Sequence, residues 1–376
     1  MMFFLFLVAL FFLLILSIDL VPDFWIWQSR IKIGQFAHEA LWKDKVLQKS
    51  IFWLNHLPKT KIKDENHLIV IDILKNQYTN STLQSWQEAS LLLGLHEAYQ
   101  KNESSKIKAE ILKFVDSKID KQGQWISEPK EIDAGLLAFA LSEISFLEQN
   151  IKPALDSVYQ LIISKLGEDE TVIYRSSTPN YRYVDSIGFV CPFLTKYGVE
   201  FQNEEALQLA ISQIKNFEKF GMLENKIPCH AYEIHTKNPV GIFGWGRGLA
   251  WFLIGVLETY KVLPEQHPEK KYLQNLLEQI AETLVTFQKN DGSFSWNLMD
   301  SGARRDSSAT AVFAWFLQEL NFKVEVQKSL QYLQSVTQRN GAVDFSQGDT
   351  KSIGVYSQKF EILPFTQGFL LQALYK

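Results

Sequence analysis

Polar side chains stand at or just before the starts of several apolar segments of this 376-residue chain. They are Asp133, Asp185, Arg247 and Asp306. One acid at the start of a helix is ordinarily an N-cap, because its oxygens accept hydrogen bonds from unpaired backbone N–H groups. Several charged groups that converge on one apolar-walled opening instead indicate a binding pocket. The pattern therefore suggests a pocket with carboxylates and a guanidinium at its rim.

Asp185 is the most informative of these residues. The segment that follows it, 187–194, is apolar on nearly every side of a helix, so this helix is expected to be buried on all faces. The plain interpretation of Asp185 is a helix cap. Tyr181, Arg182 and Tyr183 lie directly upstream, and similar helix starts recur along the chain, which favours a functional role.

Four segments resemble motifs of glycoside hydrolase families 88 and 105, the unsaturated glucuronyl and unsaturated rhamnogalacturonyl hydrolases. Y-V-D-S-I-G-F at 183–189 resembles their W-V-D-T/S helix start, and H-A-Y-E at 230–233 resembles H-x-Y-D. G-W-G-R-G-L-A-W at 244–251 resembles W-G/A-R-G-x-x-W and is the most specific match. D-S-S-A-T-A at 306–311 resembles E/D-T/S-S-A-T/S-A. The order of the segments agrees, and the resemblance covers about residues 40–376.

The resemblance implies a hydrolase that acts on oligosaccharides whose uronic acid carries a C4–C5 double bond. Asp185 would protonate this enol ether and assist water in its attack on C5, after which the hydrated sugar rearranges and loses its aglycone. Such a role requires a carboxyl with a raised pKa, which apolar walls supply. Asp133, in E-I-D-A-G at 131–135, is the best-placed second acid, with a helix cap as an equal alternative.

Five further residues would bind the substrate by the same resemblance. Arg247 would meet a substrate carboxylate, because a planar guanidinium donates two parallel hydrogen bonds where a lysine offers a point charge. Trp245 and Trp251 would offer stacking surfaces. His230 and Tyr232 would form hydrogen bonds with the sugar. The alternatives are structural: a tight turn, two tryptophans that belong to the core, and a histidine with a packing role.

A repeated pair of helices is expected to position these residues. Six apolar segments rich in small residues alternate with six amphipathic, charged segments, with a period long enough for a helix pair and a loop. The apolar segments are 86–99, 133–144, 185–197, 248–260, 307–320 and 365–375, and the amphipathic ones are 43–57, 103–119, 152–166, 204–220, 270–289 and 324–338. No segment shows sustained period-two alternation. We therefore predict an all-α fold over residues 35–376, a six-hairpin (α/α)6 barrel whose outer helices are buried on one side and inner helices on all sides.

Short loops with glycine and asparagine follow three of the predicted outer helices. They are K-Q-G-Q-W at 121–125, N-D-G-S-F at 290–294 and N-G-A-V at 340–343. Glycine and asparagine favour helix ends and turns. Each loop leads towards the next inner helix, so the inner helices are expected to start at one end of the barrel. The polar residues before them would then line one mouth.

Composition narrows the function classes. A net charge of -4 and a pI near 6.0 give no electrostatic case for binding nucleic acid. The two cysteines, Cys191 and Cys229, are far apart and lack metal-ligand spacing, so neither a zinc site nor a disulfide framework is implied. We expect no cofactor. Ten tryptophans and 13% aromatic residues fit sugar-stacking surfaces and additional core packing equally well.

The first residues, 1–27, are expected to form a separate hydrophobic segment. Residues 1–16 are almost entirely apolar, and Trp25 and Trp27 follow like an interfacial aromatic belt. The length is near the lower limit of roughly 17 residues for a spanning helix. An uncleaved membrane anchor is favoured over a signal peptide, because no basic residue precedes the run and no A-x-A cleavage site follows it. Basic residues after the run favour a cytoplasmic barrel, whereas the signal-like start favours the opposite side.

Three functions are compatible with these observations. The first is hydrolysis of unsaturated glycuronides. The second is a membrane-tethered saccharide-binding or polysaccharide-assembly protein with a relict site, which the hydrophobic segment favours. The third is a sugar epimerase, a class that shares the barrel but relies on paired histidines, whereas only His230 and His235 lie close together here. The joint presence of Asp185, His230 and Arg247 favours the hydrolase.

Overall fold

Helices of two kinds alternate along the chain, as predicted. The computed structural model describes residues 1–58 and 85–376. The helices of this part are α1 (Met2–Arg30), α2 (Glu39–Asn55), α3 (Ser85–Asn102), α4 (Ser105–Lys118), α5 (Ala134–Ser142), α6 (Lys152–Ile163), α7 (Asp185–Glu200), α8 (Glu204–Gly221), α9 (Gly246–Val262), α10 (Lys270–Val285), α11 (Ser307–Glu319), α12 (Lys323–Ser335) and α13 (Pro364–Tyr375). The odd-numbered helices from α3 to α13 form an inner ring, and the even-numbered helices from α2 to α12 form an outer ring.

The inner ring closes on itself. Each inner helix packs against the next one along the chain, and α13 packs against α3. Burial follows the predicted difference between the rings: α9 is buried at every residue from Gly246 to Thr259, whereas α10 buries one face that includes Leu273, Leu277 and Leu284. The described residues are therefore predominantly helical, as predicted, and the closed double ring agrees with the predicted (α/α)6 barrel. Residues 59–84 lie outside the described residues. The predicted bounds of the barrel domain, 35–376, stay a prediction.

Tight hairpins after the outer helices return the chain to the inner ring. Antiparallel bridges such as Ile119 to Trp125 and Thr337 to Val343 close them. Each turn contains a residue with positive φ, and at Gly341, with φ of 90°, a Cβ would lie 2.0 Å from the carbonyl oxygen of Lys45 on α2. Glycine is thus required there by both conformation and space. The inner helices start at the end of the barrel where these hairpins lie, which we call the mouth.

Short strands lie at the mouth. β1 (Tyr181–Tyr183), β2 (Ala231–Glu233) and β3 (Pro239–Val240) form an antiparallel sheet in that order, with Tyr183 opposite Ala231 and Tyr232 opposite Pro239. β4 (Ser346–Gln347) and β5 (Phe360–Glu361) form a second pair, with Ser346 opposite Glu361. Strands of two or three residues are too short for an alternating pattern to be visible in the sequence.

The hydrophobic N-terminal segment forms α1, most of whose apolar side chains are exposed. Taken singly, no helix in residues 1–58 and 85–376 has both the length and the apolar composition needed to cross a membrane. Two parts of α1, Met2–Ile18 and Asp23–Arg30, meet these criteria only together and are bent by 47° relative to each other. The expected single spanning helix is therefore not supported, and a membrane anchor remains a proposal.

Candidate active site

Asp185 is the first residue of α7 and lies at the mouth. The Val184 N–H donates to the carbonyl oxygen of His230, at 3.0 Å, so β1 and β2 fix the start of the helix. Val184 occupies the N-cap position, without a side-chain hydrogen bond. The Asp185 side chain is buried, and its Oδ2 has no hydrogen-bond partner among the described residues. The carboxyl therefore does not act as the N-cap of α7, and one of its oxygens is available to a ligand.

The surroundings of Asp185 raise its pKa to about 7. Burial is the main cause, because the charged form loses its hydration. The Asp185 backbone N–H and the positive charges of Arg247 and Arg175 act in the opposite direction, and Asp349 adds to the increase. A carboxyl that titrates near neutral pH can both donate and accept a proton during one reaction cycle.

His230 lies beside this carboxyl. Its Nε2 is 3.8 Å from Asp185 Oδ2, and its Nδ1 has no hydrogen-bond partner in the described part of the chain. Burial and the charges of Arg175 and Arg247 lower the pKa of His230 to about 3. The imidazole is therefore neutral at physiological pH, so the contact with Asp185 is not an ion pair. Two buried polar atoms without partners at one opening indicate a place for a polar ligand.

Arg247 extends from the first turn of α9 and is buried. Its Nη1 and Nη2 donate to the carbonyl oxygens of Gln347 and Gly348, the latter at 2.6 Å. Its guanidinium also lies 5.5 Å from the centre of the Trp245 ring. Part of the fork predicted to bind a substrate carboxylate is thus occupied by main-chain acceptors, while its charge still acts on Asp185 and His230.

The two predicted stacking tryptophans occupy different places. Trp245 donates from Nε1 to Gln347 Oε1 at 2.9 Å, and its ring lies 4.7 Å from the ring of His230. Trp251 is buried among core rings, 5.4 Å from Trp86 and 4.7 Å from Phe189. Trp245 therefore lies in the Asp185 cluster, whereas Trp251 packs in the interior of the inner ring.

Asp133 lies directly before α5, with its pKa raised to about 7 by burial. It makes no capping contact to its own helix but hydrogen-bonds the backbone N–H groups of Trp86 and Ser85 at the start of α3. Burial is the main cause of the raised pKa of Tyr174, and the negative charges of Asp185 and Asp133 raise it further. The structure therefore brings both predicted acids to the neighbourhood of one phenol.

Tyr232 and Asp306 are placed outside this cluster. The Tyr232 ring packs 5.7 Å from Phe217 and 5.6 Å from Phe220 on α8, and its hydroxyl hydrogen-bonds Thr171. The ring therefore packs towards the outer helix, and the contact of Tyr232 with the sugar stays a prediction. Asp306 caps α11 and accepts the Gln347 N–H at 2.9 Å, so it supports β4.

Four residues of the mouth were not predicted from the sequence: Tyr174, Arg175, Asp349 and Tyr356. Tyr174 and Arg175 belong to the irregular segment before β1, and Arg175 Nη1 donates to the carbonyl oxygen of Lys351 at 3.2 Å. The Tyr356 ring lies 5.4 Å from His230 and 5.5 Å from Trp245. No periodic pattern marks such loop residues, and only the high aromatic content of the chain hinted at further rings near the site.

Comparisons with known proteins agree with this architecture. The sequence profile of Glycosyl Hydrolase Family 88 matches residues 54–375. The unsaturated 3S-rhamnoglycuronyl hydrolase of Alteromonas sp. (strain LOR) is 35% identical over 69 residues, which are 18% of this chain and only 16% of that relative's length.

Solved structures resemble the fold at low sequence identity. A possible member of glycoside hydrolase family 105 from Klebsiella pneumoniae superposes with a TM-score of 0.73 at 16% identity, covering 90% of this chain and 93% of that one. The unsaturated glucuronyl hydrolase of Bacillus sp. GL1 has a TM-score of 0.65 at 14% identity, covering 88% and 94%. At such identities the likeness concerns the fold.

Proposed function

Because the chain belongs to glycosyl hydrolase family 88, we propose that it hydrolyses oligosaccharides that begin with a 4,5-unsaturated uronic acid. The observation that carries this proposal is the buried Asp185 carboxyl, whose Oδ2 lacks a partner among the described residues and whose pKa is raised to about 7. The names of the similar proteins, unsaturated glucuronyl and rhamnoglycuronyl hydrolases, support the substrate class.

The proposed reaction begins with Asp185 in its protonated form. Its proton adds to C4 of the enol ether, which leaves positive charge shared between C5 and the ring oxygen. The resulting carboxylate then takes a proton from water as the water oxygen bonds to C5. The hydrated sugar opens and releases its aglycone. One group serves as acid and then as base, which a pKa near neutrality permits.

Two positive charges would receive the substrate carboxylate. Arg247 is fixed beside Asp185, and Arg175 is half-buried at the mouth and acts on the same carboxyl. Both cations lower the pKa of Asp185. A bound uronate would neutralise part of this charge and so raise the pKa of Asp185 further, which favours the protonated acid when substrate is present.

His230 and the surrounding rings would orient the sugar. A neutral imidazole can donate from one nitrogen and accept at the other, so the unpartnered Nδ1 suits a hydroxyl or the attacking water. Trp245 and Tyr356 form one wall beside it, and such aromatic faces provide apolar contact area with defined geometry.

A direct assay tests the proposed function. The full-length chain in detergent is incubated with unsaturated oligosaccharides generated by a polysaccharide lyase, and the absorbance of the conjugated double bond is followed. We expect the absorbance to fall with release of the remaining oligosaccharide, and saturated oligosaccharides of the same composition to stay intact. Binding of the unsaturated saccharide without loss of absorbance would contradict the proposal and favour a saccharide-binding protein with a relict site.

The pH dependence of kcat/KM provides a second prediction. The reaction starts from protonated Asp185, whose pKa is about 7, so the rate should fall about tenfold per pH unit above that value. His230, with a pKa lowered to about 3, should not titrate in this range. A rate that stays constant to well above about pH 8 would contradict the acid role.

We also propose that α1 attaches the barrel to a membrane. Most of its apolar side chains are exposed, and Trp25 and Trp27 are exposed near its end, as at a lipid interface. Carbonate extraction of membranes that contain the full-length chain should leave the protein in the pellet. Release of the full-length chain into the supernatant would contradict the anchor without affecting the assignment of the catalytic site.

A further inference from the structure

Arg30, the last residue of α1, is bound to the barrel. Its Nε and Nη2 donate to the two carboxylate oxygens of Asp344, each at 2.8 Å. Nη2 also donates to the carbonyl oxygen of Phe360 at 2.9 Å, and the guanidinium lies 4.6 Å from the centre of the Phe345 ring. Only 1% of the Asp344 side chain is exposed. A bidentate pair with a buried carboxylate is a strong and geometrically specific contact.

These contacts hold together the two ends of one loop. Asp344 lies two residues before the start of β4, and Phe360 belongs to β5. We call residues 344–361, which include both strands and the chain between them, the site hairpin. One guanidinium therefore bridges the outgoing and the returning chain at the base of the site hairpin, from a position 314 residues away in the sequence.

The site hairpin supplies several groups of the candidate active site. The carbonyl oxygens of Gln347 and Gly348 bind Arg247, and the Gln347 side chain binds Trp245. Tyr356 packs against His230 and Trp245. A displacement of the site hairpin would therefore move the Arg247 guanidinium and the Trp245 ring, which are expected to meet the substrate.

The base of the hairpin needs such a partner. Phe345 has a φ of 61°, a left-handed conformation that is strained for an aromatic residue, and its N–H donates to Asp344 Oδ1 at 2.7 Å. Gln338 Nε2 donates to the other Asp344 oxygen. Without Arg30 the buried Asp344 carboxylate would keep these neutral donors but lose its bidentate cationic partner, which favours rearrangement.

We infer that Arg30 is a positioning residue, which holds the site hairpin so that Arg247 and Trp245 are set for the substrate. The inference rests on the proposed function for its kinetic consequence, and on the contacts of Arg30 for its structural one. It makes the end of α1 part of the active-site support, in addition to any role of α1 in attachment.

Hydrogen exchange and kinetics on the full-length chain in detergent test this inference. In Arg30→Ala, the rate of amide exchange in residues 346–361 should rise about tenfold to a hundredfold. This factor is the increase in the open population of the hairpin expected from the loss of one charge-assisted hydrogen bond. KM should rise several-fold while kcat changes little, because a hairpin whose base has rearranged holds Arg247 and Trp245 less well for the substrate. Arg30→Lys should fall between, since lysine keeps the charge near Asp344 and loses the fork. Arg339→Ala removes an exposed arginine from the neighbouring turn and should change neither quantity.

Each outcome decides the inference. Unchanged exchange in 346–361 for Arg30→Ala would overturn it, and so would increased exchange with an unchanged KM. If amide exchange rises throughout the Arg30→Ala variant, that variant is unfolded. The Arg30→Lys variant then decides, by whether its increase in amide exchange is confined to the site hairpin. If the parent protein cleaves no unsaturated saccharide, the proposed function fails, and the exchange data with saccharide-binding affinity decide the positioning role separately.

Discussion

Asp185→Asn is expected to lower turnover of an unsaturated glycuronide by a factor of about 100 to 10,000, the usual worth of general acid–base catalysis. The amide is nearly isosteric with the carboxyl but cannot deliver a proton to C4. Substrate binding should be largely kept, because the substitution leaves Arg247, Arg175 and His230 in place. Turnover and saccharide affinity, measured on the same preparations, separate the two effects.

The fold should tolerate this change. Burial raises the folded-state pKa of Asp185 to about 7, above its ordinary value. Ionisation of Asp185 therefore destabilises the folded protein. This cost is absent below the unfolded-state pKa of the carboxyl, grows as the pH rises, and is complete above about pH 7. Asparagine removes that cost, so Tm at neutral pH should stay equal or increase. A variant that turns over substrate at close to the parent rate would defeat the catalytic assignment and move it to Asp133.

Arg247→Lys is expected to raise KM by roughly tenfold to a hundredfold with a smaller change in kcat. Lysine keeps the charge, but it cannot donate to both Gln347 and Gly348 while facing a carboxylate. Kinetics over a range of substrate concentrations measure the split. Arg305→Lys is the matched control, since Arg305 is half-exposed and paired with Asp291. A loss confined to kcat would contradict a role in binding.

Removal of the charge should have a distinct effect. Arg247 lowers the pKa of Asp185, so Arg247→Met should raise it and move the alkaline limb of the pH profile to higher pH. Arg247→Lys should leave the limb near its original position. A limb that moves to lower pH in Arg247→Met would contradict the electrostatic coupling between these two residues.

The two rings of helices were predictable from the sequence because a helix buried on one side carries apolar residues at helical spacing, whereas a helix buried on all sides is apolar throughout. The turns at Gly123, Gly292 and Gly341 were also predicted, since glycine marks a left-handed residue. The equivalent turns with Glu170 and Lys226, at φ of 58° and 63°, carry no such mark and were missed. A left-handed turn residue is therefore visible in the sequence only where it is a glycine.

The site was only partly predictable. Asp185, His230, Trp245 and Arg247 stand in segments that resemble known motifs, and the structure brings them together. Tyr232 stands in the same H-A-Y-E segment as His230, yet its ring packs on α8. Its place depends on Phe217 and Phe220, which no local pattern connects to it.

Long-range contacts explain the residues that were missed. Arg175 binds the Lys351 carbonyl across 176 residues, and Arg30 binds Asp344 across 314. Both arginines reach loops rather than helices, so no periodicity records the pairing. The apolar composition of the N-terminal segment predicted a membrane anchor but gave no sign that Arg30, at the end of α1, binds the base of the site hairpin.

The reaction in heavy water tests the central claim most directly. The full-length protein is incubated with an unsaturated oligosaccharide in heavy water, and the released monosaccharide is examined by NMR. If the double bond is protonated at C4, the step the account assigns to Asp185, the product carries one solvent deuterium at C4 when it is first released and has lost the double bond. Release of a uronic acid with its double bond intact and no deuterium at C4 would show direct cleavage of the glycosidic bond and would contradict the account.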